Sequence, residues 1–101
     1  MKKKDLMKKI EIKYFDLTDW GTILNDLQDI ACEKLPKKSV DRFLKESNAD
    51  AKKCEDMDCI LLNGKVFDWR VFETEAPQII EAFLDYFTEE ELEIIGKELN
   101  V

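Results

Sequence analysis

Asn63-Gly64 is the feature that most narrows what this chain can fold into. Both residues accept the positive φ angles of a type I′ turn, and such a pair between apolar runs is the strongest short-range signal for a β-hairpin. Cys59-Ile-Leu-Leu62 leads in, and Lys65-Val-Phe-Asp-Trp-Arg-Val71 leads out. Alternation along the second run puts Phe67, Trp69 and Val71 on one face, with Asp68 and Arg70 on the other. The stretch from Met7 to Tyr14 alternates too, with Ile10, Ile12 and Tyr14 opposite Lys9, Glu11 and Lys13. That pattern predicts a third strand over about residues 7–15, with lysines on an exposed side or edge.

Helical spacing fills most of the rest. Thr18 or Asp19 is placed to cap a helix over about 19–34, whose apolar stripe is Trp20, Ile23, Leu24, Leu27, Ile30 and Ala31. Pro36 ends it. Ser39 then caps a shorter helix carrying Val40, Phe43 and Leu44, and Asn48 is expected to break it before a further short turn through about Cys54. Thr74 to Pro77 opens a helix reaching about Phe87, with the proline tolerated in the first turn and Ile79, Ile80, Phe83, Leu84 and Phe87 inward. Thr88-Glu-Glu-Glu91 is a capping box, and it starts a last helix bearing Leu92, Ile95 and Leu99. The predicted order is β-α-α-(α)-β-β-α-α. The fold class is α+β: a small three-stranded antiparallel sheet (strand about 7–15, hairpin about 59–72) packed with four to five helices. A chain of 101 residues fits one domain, 1–101, with residues 1–6 a frayed basic start.

Composition separates broad classes. A hydrophobic share of 45% is that of a folded chain, so its charged share of 39% does not make it disordered. No run nears the ~18 apolar residues of a membrane span. Met1-Lys2-Lys3-Lys4 has the look of a secretory leader's start, but Asp5, Lys8 and Lys9 interrupt any apolar segment after it. Three cysteines are too few for a secreted disulfide framework, so the expected location is cytoplasmic.

Catalytic and metal-binding signals are weak. Histidine is absent, which removes both the commonest general base and the commonest metal ligand. Cys54 and Cys59, even with Asp56 and Asp58, have the wrong spacing for a zinc knuckle and no second pair. Cys32 and Cys59 read as small core residues and Cys54 as half-exposed. An enzyme would need a concave site built from carboxylates, Tyr14, Tyr86 or a cysteine. Tyr14, Phe15, Trp20, Phe67 and Trp69 could stack bases, but a net charge of −7 without a basic stripe supplies no attraction for phosphate. No cofactor, metal, membrane or direct nucleic-acid contact is expected.

What remains is the distribution of charge. Residues 1–13 carry a net +4, residues 14–70 a net −3, and residues 71–101 a net −8. Glu81 and Asp85 are four apart on one predicted helix, and Glu89 and Glu93 are four apart on the next. Like charges at that spacing repel by a few tenths of a kcal/mol. A run of such choices presents carboxylates much as a nucleic-acid backbone presents phosphates, although charge runs are also ordinary solvated faces. The lysines of the first segment could meet the acidic end of a second copy.

The profile, meaning short, acidic and poor in catalytic groups, is similar to that of immunity proteins, antitoxins and phage-encoded inhibitors of host defence. The likeness is one of character, not of motif. It implies a non-enzymatic protein-binding inhibitor that docks Glu81, Asp85, Glu89, Glu90 and Glu93 on a basic, nucleic-acid-processing protein such as a nuclease. The alternative is a structural or assembly module that self-associates as a homo-oligomer through an edge strand or an aromatic patch.

Overall fold

The computed structural model describes residues 1–100. Its elements are helices α1 (Lys3–Tyr14), α2 (Trp20–Lys34) and α3 (Lys37–Lys53), strands β1 (Cys59–Leu62) and β2 (Lys65–Asp68), a 3-10 turn (Trp69–Val71), and helices α4 (Ala76–Leu84) and α5 (Glu89–Leu99). Among the described residues this is a mixed helix-and-strand fold, with five α-helices and an antiparallel sheet of two strands, not three.

The first segment accounts for the missing strand. Residues 7–15 were expected to be extended, yet α1 is helical. The alternation of Ile10, Ile12 and Tyr14 competes with a helical spacing of Leu6, Ile10 and Tyr14, four residues apart. Lysine, leucine, methionine and glutamate favour the helix locally. Packing then decides: the helix buries Leu6, Met7 and Ile10 against α5, at the cost of leaving Ile12 62% exposed. The start expected to fray is the opening turn of this helix, and Met1 lies against Gly96 of α5. After Tyr14 the chain makes a tight turn. Phe15 has φ 59° and ψ −47°, and the Asp16 N–H donates to the Tyr14 carbonyl at 2.6 Å. That is the less common γ-turn, and it leaves Phe15 89% exposed.

Two other boundaries differ from expectation. Asn48 does not break α3, because asparagine inside a helix costs only about 0.5 kcal/mol relative to alanine. Ser39 does not cap it; Pro36 takes the cap position and α3 runs unbroken to Lys53. In the hairpin, Asn63 (φ 46°) and Gly64 (φ 84°) turn the chain as expected. The second strand stops early. The Asp68 carboxylate accepts the Arg70 N–H at 2.9 Å and starts the 3-10 turn. Trp69 and Val71 therefore leave the face of buried Phe67 and stand exposed. Cys32, expected inside, is exposed on α2.

The apolar pattern of the last two helices is buried as expected, although α4 ends at Leu84 and not near Phe87. Ile79, Ile80, Phe83, Leu84, Phe87, Leu92, Ile95 and Leu99 are all buried. Phe43 of α3 sits among the rings of Phe83, Tyr86 and Phe87, with centroids 4.8–5.6 Å away. Edge-on and tilted pairs of this kind add to the burial of the rings themselves. At the turn before α5 the capping box closes in both directions: Thr88 Oγ1 accepts the Glu91 N–H at 3.2 Å, and Glu91 Oε1 accepts the Thr88 N–H at 2.8 Å. Among the described residues no helix is long and apolar enough to cross a membrane.

Candidate functional site: the acidic end and its cations

The basic start and the acidic end of the chain meet within one molecule. Contacts advance together along α1 and α5, so the two helices lie side by side and parallel. The amino group of Met1 is 3.1 Å from Glu93 Oε2 and donates to the Glu89 carbonyl at 3.1 Å. Lys3 Nζ donates to Asp85 Oδ1 at 2.7 Å. Further along, Lys13 Nζ donates to the Leu99 carbonyl at 3.2 Å and Lys9 Nζ reaches the Gly96 carbonyl at 3.5 Å. Those carbonyls form the negative end of the α5 dipole, where ammonium groups stabilise a helix.

This arrangement divides the five carboxylates singled out from the sequence. Asp85, just past the end of α4, is held by Lys3 and also lies 3.7 Å from Lys65 Nζ at the start of β2. Glu93 is held by the amino terminus. The repulsion expected within the Glu81–Asp85 and Glu89–Glu93 pairs is thus offset by a cation at one member of each. Glu81 is half-buried on α4, while Glu89 and Glu90 are exposed on the first turn of α5. Asp85 and Glu93 turn towards α1, whereas Glu90 borders a shallow cleft with Pro36, Ser39 and Arg42 at the start of α3.

A sixth acid, Glu91, is 5% exposed. Burial alone would raise its pKa. Hydrogen bonds from Arg42 and the Thr88 N–H, with the Ser39 hydroxyl nearby, outweigh that and hold it at about 2. Arg42 Nη2 lies 2.6 Å from Glu91 Oε1 and also donates to the Tyr86 carbonyl at 3.2 Å, so one guanidinium joins α3 to the turn between α4 and α5. Beside it, the Tyr86 hydroxyl donates to Asp50 at 2.5 Å and accepts the Asn63 N–H at 3.0 Å. Burial and the Asp50 carboxylate push the Tyr86 phenol upward. The sequence identifies Glu91 as a cap but gives no sign that Arg42, 49 positions away, would reach it.

Of the aromatic residues considered for base stacking, Trp20, Phe67 and Trp69 gather around Phe72, and they do so at different depths. Phe67 is buried, Trp20 is half-buried, and Phe15 projects alone. Trp69 is 55% exposed and stacks on Phe72 at 4.3 Å. Arg70 beside it grips Asp68 through Nε and Nη2, at 3.1 and 2.7 Å from Oδ1 and Oδ2. Those hydrogen bonds hold Asp68 at about 2. Trp69 and Arg70 border two open clefts, one with Asp58 and Asp68, the other with Thr18, Trp20, Phe72, Glu73 and Thr74. Alternation along the sequence puts Trp69 on the face of Phe67, which is buried. The signal it passed over is Asp68, a residue type that readily ends strands by accepting a nearby backbone N–H.

No grouping of three or more metal-ligating side chains occurs among the described residues. No family model matches this chain, and neither the curated proteins nor the solved structures yield a match.

Proposed function

We propose that this protein is a non-enzymatic, acidic, protein-binding inhibitor of cytoplasmic location, whose partner is a basic, nucleic-acid-processing protein. One observation carries the reading. Among the described residues, the cations drawn to the acidic third bind Asp85, Glu91, Glu93 and Glu98, while Glu73, Glu75, Glu81, Glu89 and Glu90 keep carboxylates without an ion pair. A field of one sign steers an oppositely charged partner and speeds association. Trp69 and Arg70 are of the residue types that anchor interfaces. The reading thereby narrows the contact set to Glu81, Glu89 and Glu90, with Asp85 and Glu93 serving α1.

The test is capture from host lysate at low salt and at about 0.5 M salt, where screening confines exposed charges to a few Å. The expected result is one basic nucleic-acid enzyme, held at low salt and weakened at high salt. The triple variant E81K/E89K/E90K should then lose at least about tenfold in affinity and flatten the salt dependence. Unchanged affinity with unchanged salt dependence refutes the proposal.

A second reading, self-association, rests on Val66 (62% exposed) and Trp69 and on the open edges of a two-stranded sheet. It predicts a mass that rises with concentration in sedimentation equilibrium. A strict monomer at high concentration removes it.

A further inference from the structure

The three cysteines are free thiols, and two of them touch. Cys54 ends α3, its N–H donating to the Ala51 carbonyl at 3.2 Å. Cys59 opens β1. The four residues between fold back on themselves, with the Met57 N–H donating to the Cys54 carbonyl at 3.1 Å. The turn brings Cys59 Sγ to 3.3 Å from Cys54 Sγ, to which it donates its hydrogen. Both side chains are half-buried, and both line an open apolar cleft with Trp20, Leu24, Ile60 and Leu62. A small solute can reach them. Cys32, on the exposed surface of α2, has no sulfur neighbour among the described residues.

We propose that Cys54 and Cys59 are a redox modification site, forming a reversible intramolecular disulfide by exchange with a low-molecular-weight disulfide of the glutathione class. The sulfurs need close only from 3.3 Å to the ~2.05 Å of a disulfide. The Cys54 sulfur, as thiolate, attacks one sulfur of the oxidant and expels one small thiolate, leaving a mixed disulfide. The Cys59 sulfur, deprotonated in turn, attacks Cys54 Sγ and expels the second small thiolate. Two protein thiols are oxidised to one disulfide, and the small disulfide is reduced to two thiols that take up the two protons. In the reduced pair the hydrogen bond to Cys54, desolvation and the nearby charges of Cys54, Asp68 and Asp58 push the Cys59 thiol up.

The bond has a structural consequence. It closes a small ring over residues 54–59 and ties the end of α3 to the base of the hairpin. The neighbouring Asp58 carbonyl accepts the Trp69 N–H at 3.3 Å, so the ring abuts the turn that presents Trp69 and Arg70. Oxidation restrains the support of that exposed pair.

The experiment equilibrates the whole chain in glutathione buffers of increasing oxidising strength, quenches it with an alkylating agent, and maps peptides by mass spectrometry. A Cys54–Cys59 cross-linked peptide should dominate under conditions where Cys32 is modified at least ten times less. The Cys32→Ser variant should behave as wild type, and Cys54→Ser and Cys59→Ser should each abolish the cross-link. Oxidised Cys32→Ser should melt roughly 5–15 °C above its reduced form, because the ring restricts the unfolded chain. Modification of all three cysteines to the same extent, or mixed disulfides that never resolve into the cross-link, overturns the proposal.

Discussion

Ile10 and Ile12 discriminate between a helix and a strand at the start of the chain. In a strand both would share one face, and truncating either would cost a similar amount. In α1, Ile10 is fully buried and Ile12 is 62% exposed. Ile10→Ala removes three carbons from a closed site. At about 0.8 kcal/mol per buried methylene this is roughly 2.4 kcal/mol, and the residual cavity takes it to about 2–4 kcal/mol. Ile12→Ala removes the same atoms from water, and alanine is the better helix former, so its effect should lie within about ±0.5 kcal/mol. Urea unfolding followed by far-UV circular dichroism reads both. With a slope of about 1–2 kcal/mol per molar, Ile10→Ala should lower the midpoint by at least about 1 M and leave the slope unchanged. Ile12→Ala should leave the midpoint nearly in place. Equal losses at both positions, or a larger loss at Ile12, would refute the helical packing of α1 on α5.

Two titrations test the polar contacts. Glu91 is held at about 2, below its ordinary 4.5, so its contribution to stability is complete above pH 4.5 and is lost as pH falls towards 2. Glu91→Gln should be less stable than wild type at pH 7 by on the order of 1–3 kcal/mol, with the gap closing near pH 2; a constant gap across that range contradicts the pairing with Arg42. Tyr14, raised to about 12 first by burial and then by its hydrogen bond to Asp26, and Tyr86, raised likewise by burial and Asp50, both favour the neutral phenol. The contribution of Tyr14 is present below pH 10 and is lost as pH rises through 12, and that of Tyr86 is lost in the same direction. Absorbance at 295 nm should show no phenolate step near pH 10 in the native protein and a two-tyrosine step in urea; a native step at pH 10 would show that either ring is solvated.

Local chemistry in the sequence determined the features closed by neighbouring residues. Asn63-Gly64 reverses the chain because both residues tolerate positive φ, and the Thr88–Glu91 box caps α5 because its partners are three residues apart. The apolar stripe of α4 and α5 is buried as its spacing requires, because only one face of each helix is apolar enough to lose its water. Tertiary structure decided the rest. Between Met7 and Tyr14 the residues satisfy both a strand and a helix period, and only the surface of α5 breaks the tie. The charge segments were plain in the sequence, but their meaning depended on distance. Folding brings Met1 and Lys3 onto Glu93 and Asp85, which turns part of an apparent binding face into an internal contact and leaves Glu81, Glu89 and Glu90 without ion pairs among the described residues. Arg42 with Glu91 and Cys54 with Cys59 show the same limit at different ranges. Spacing along a chain fixes which groups share a turn or a face, whereas an ion pair or a disulfide depends on separation through space, which packing of the whole core sets.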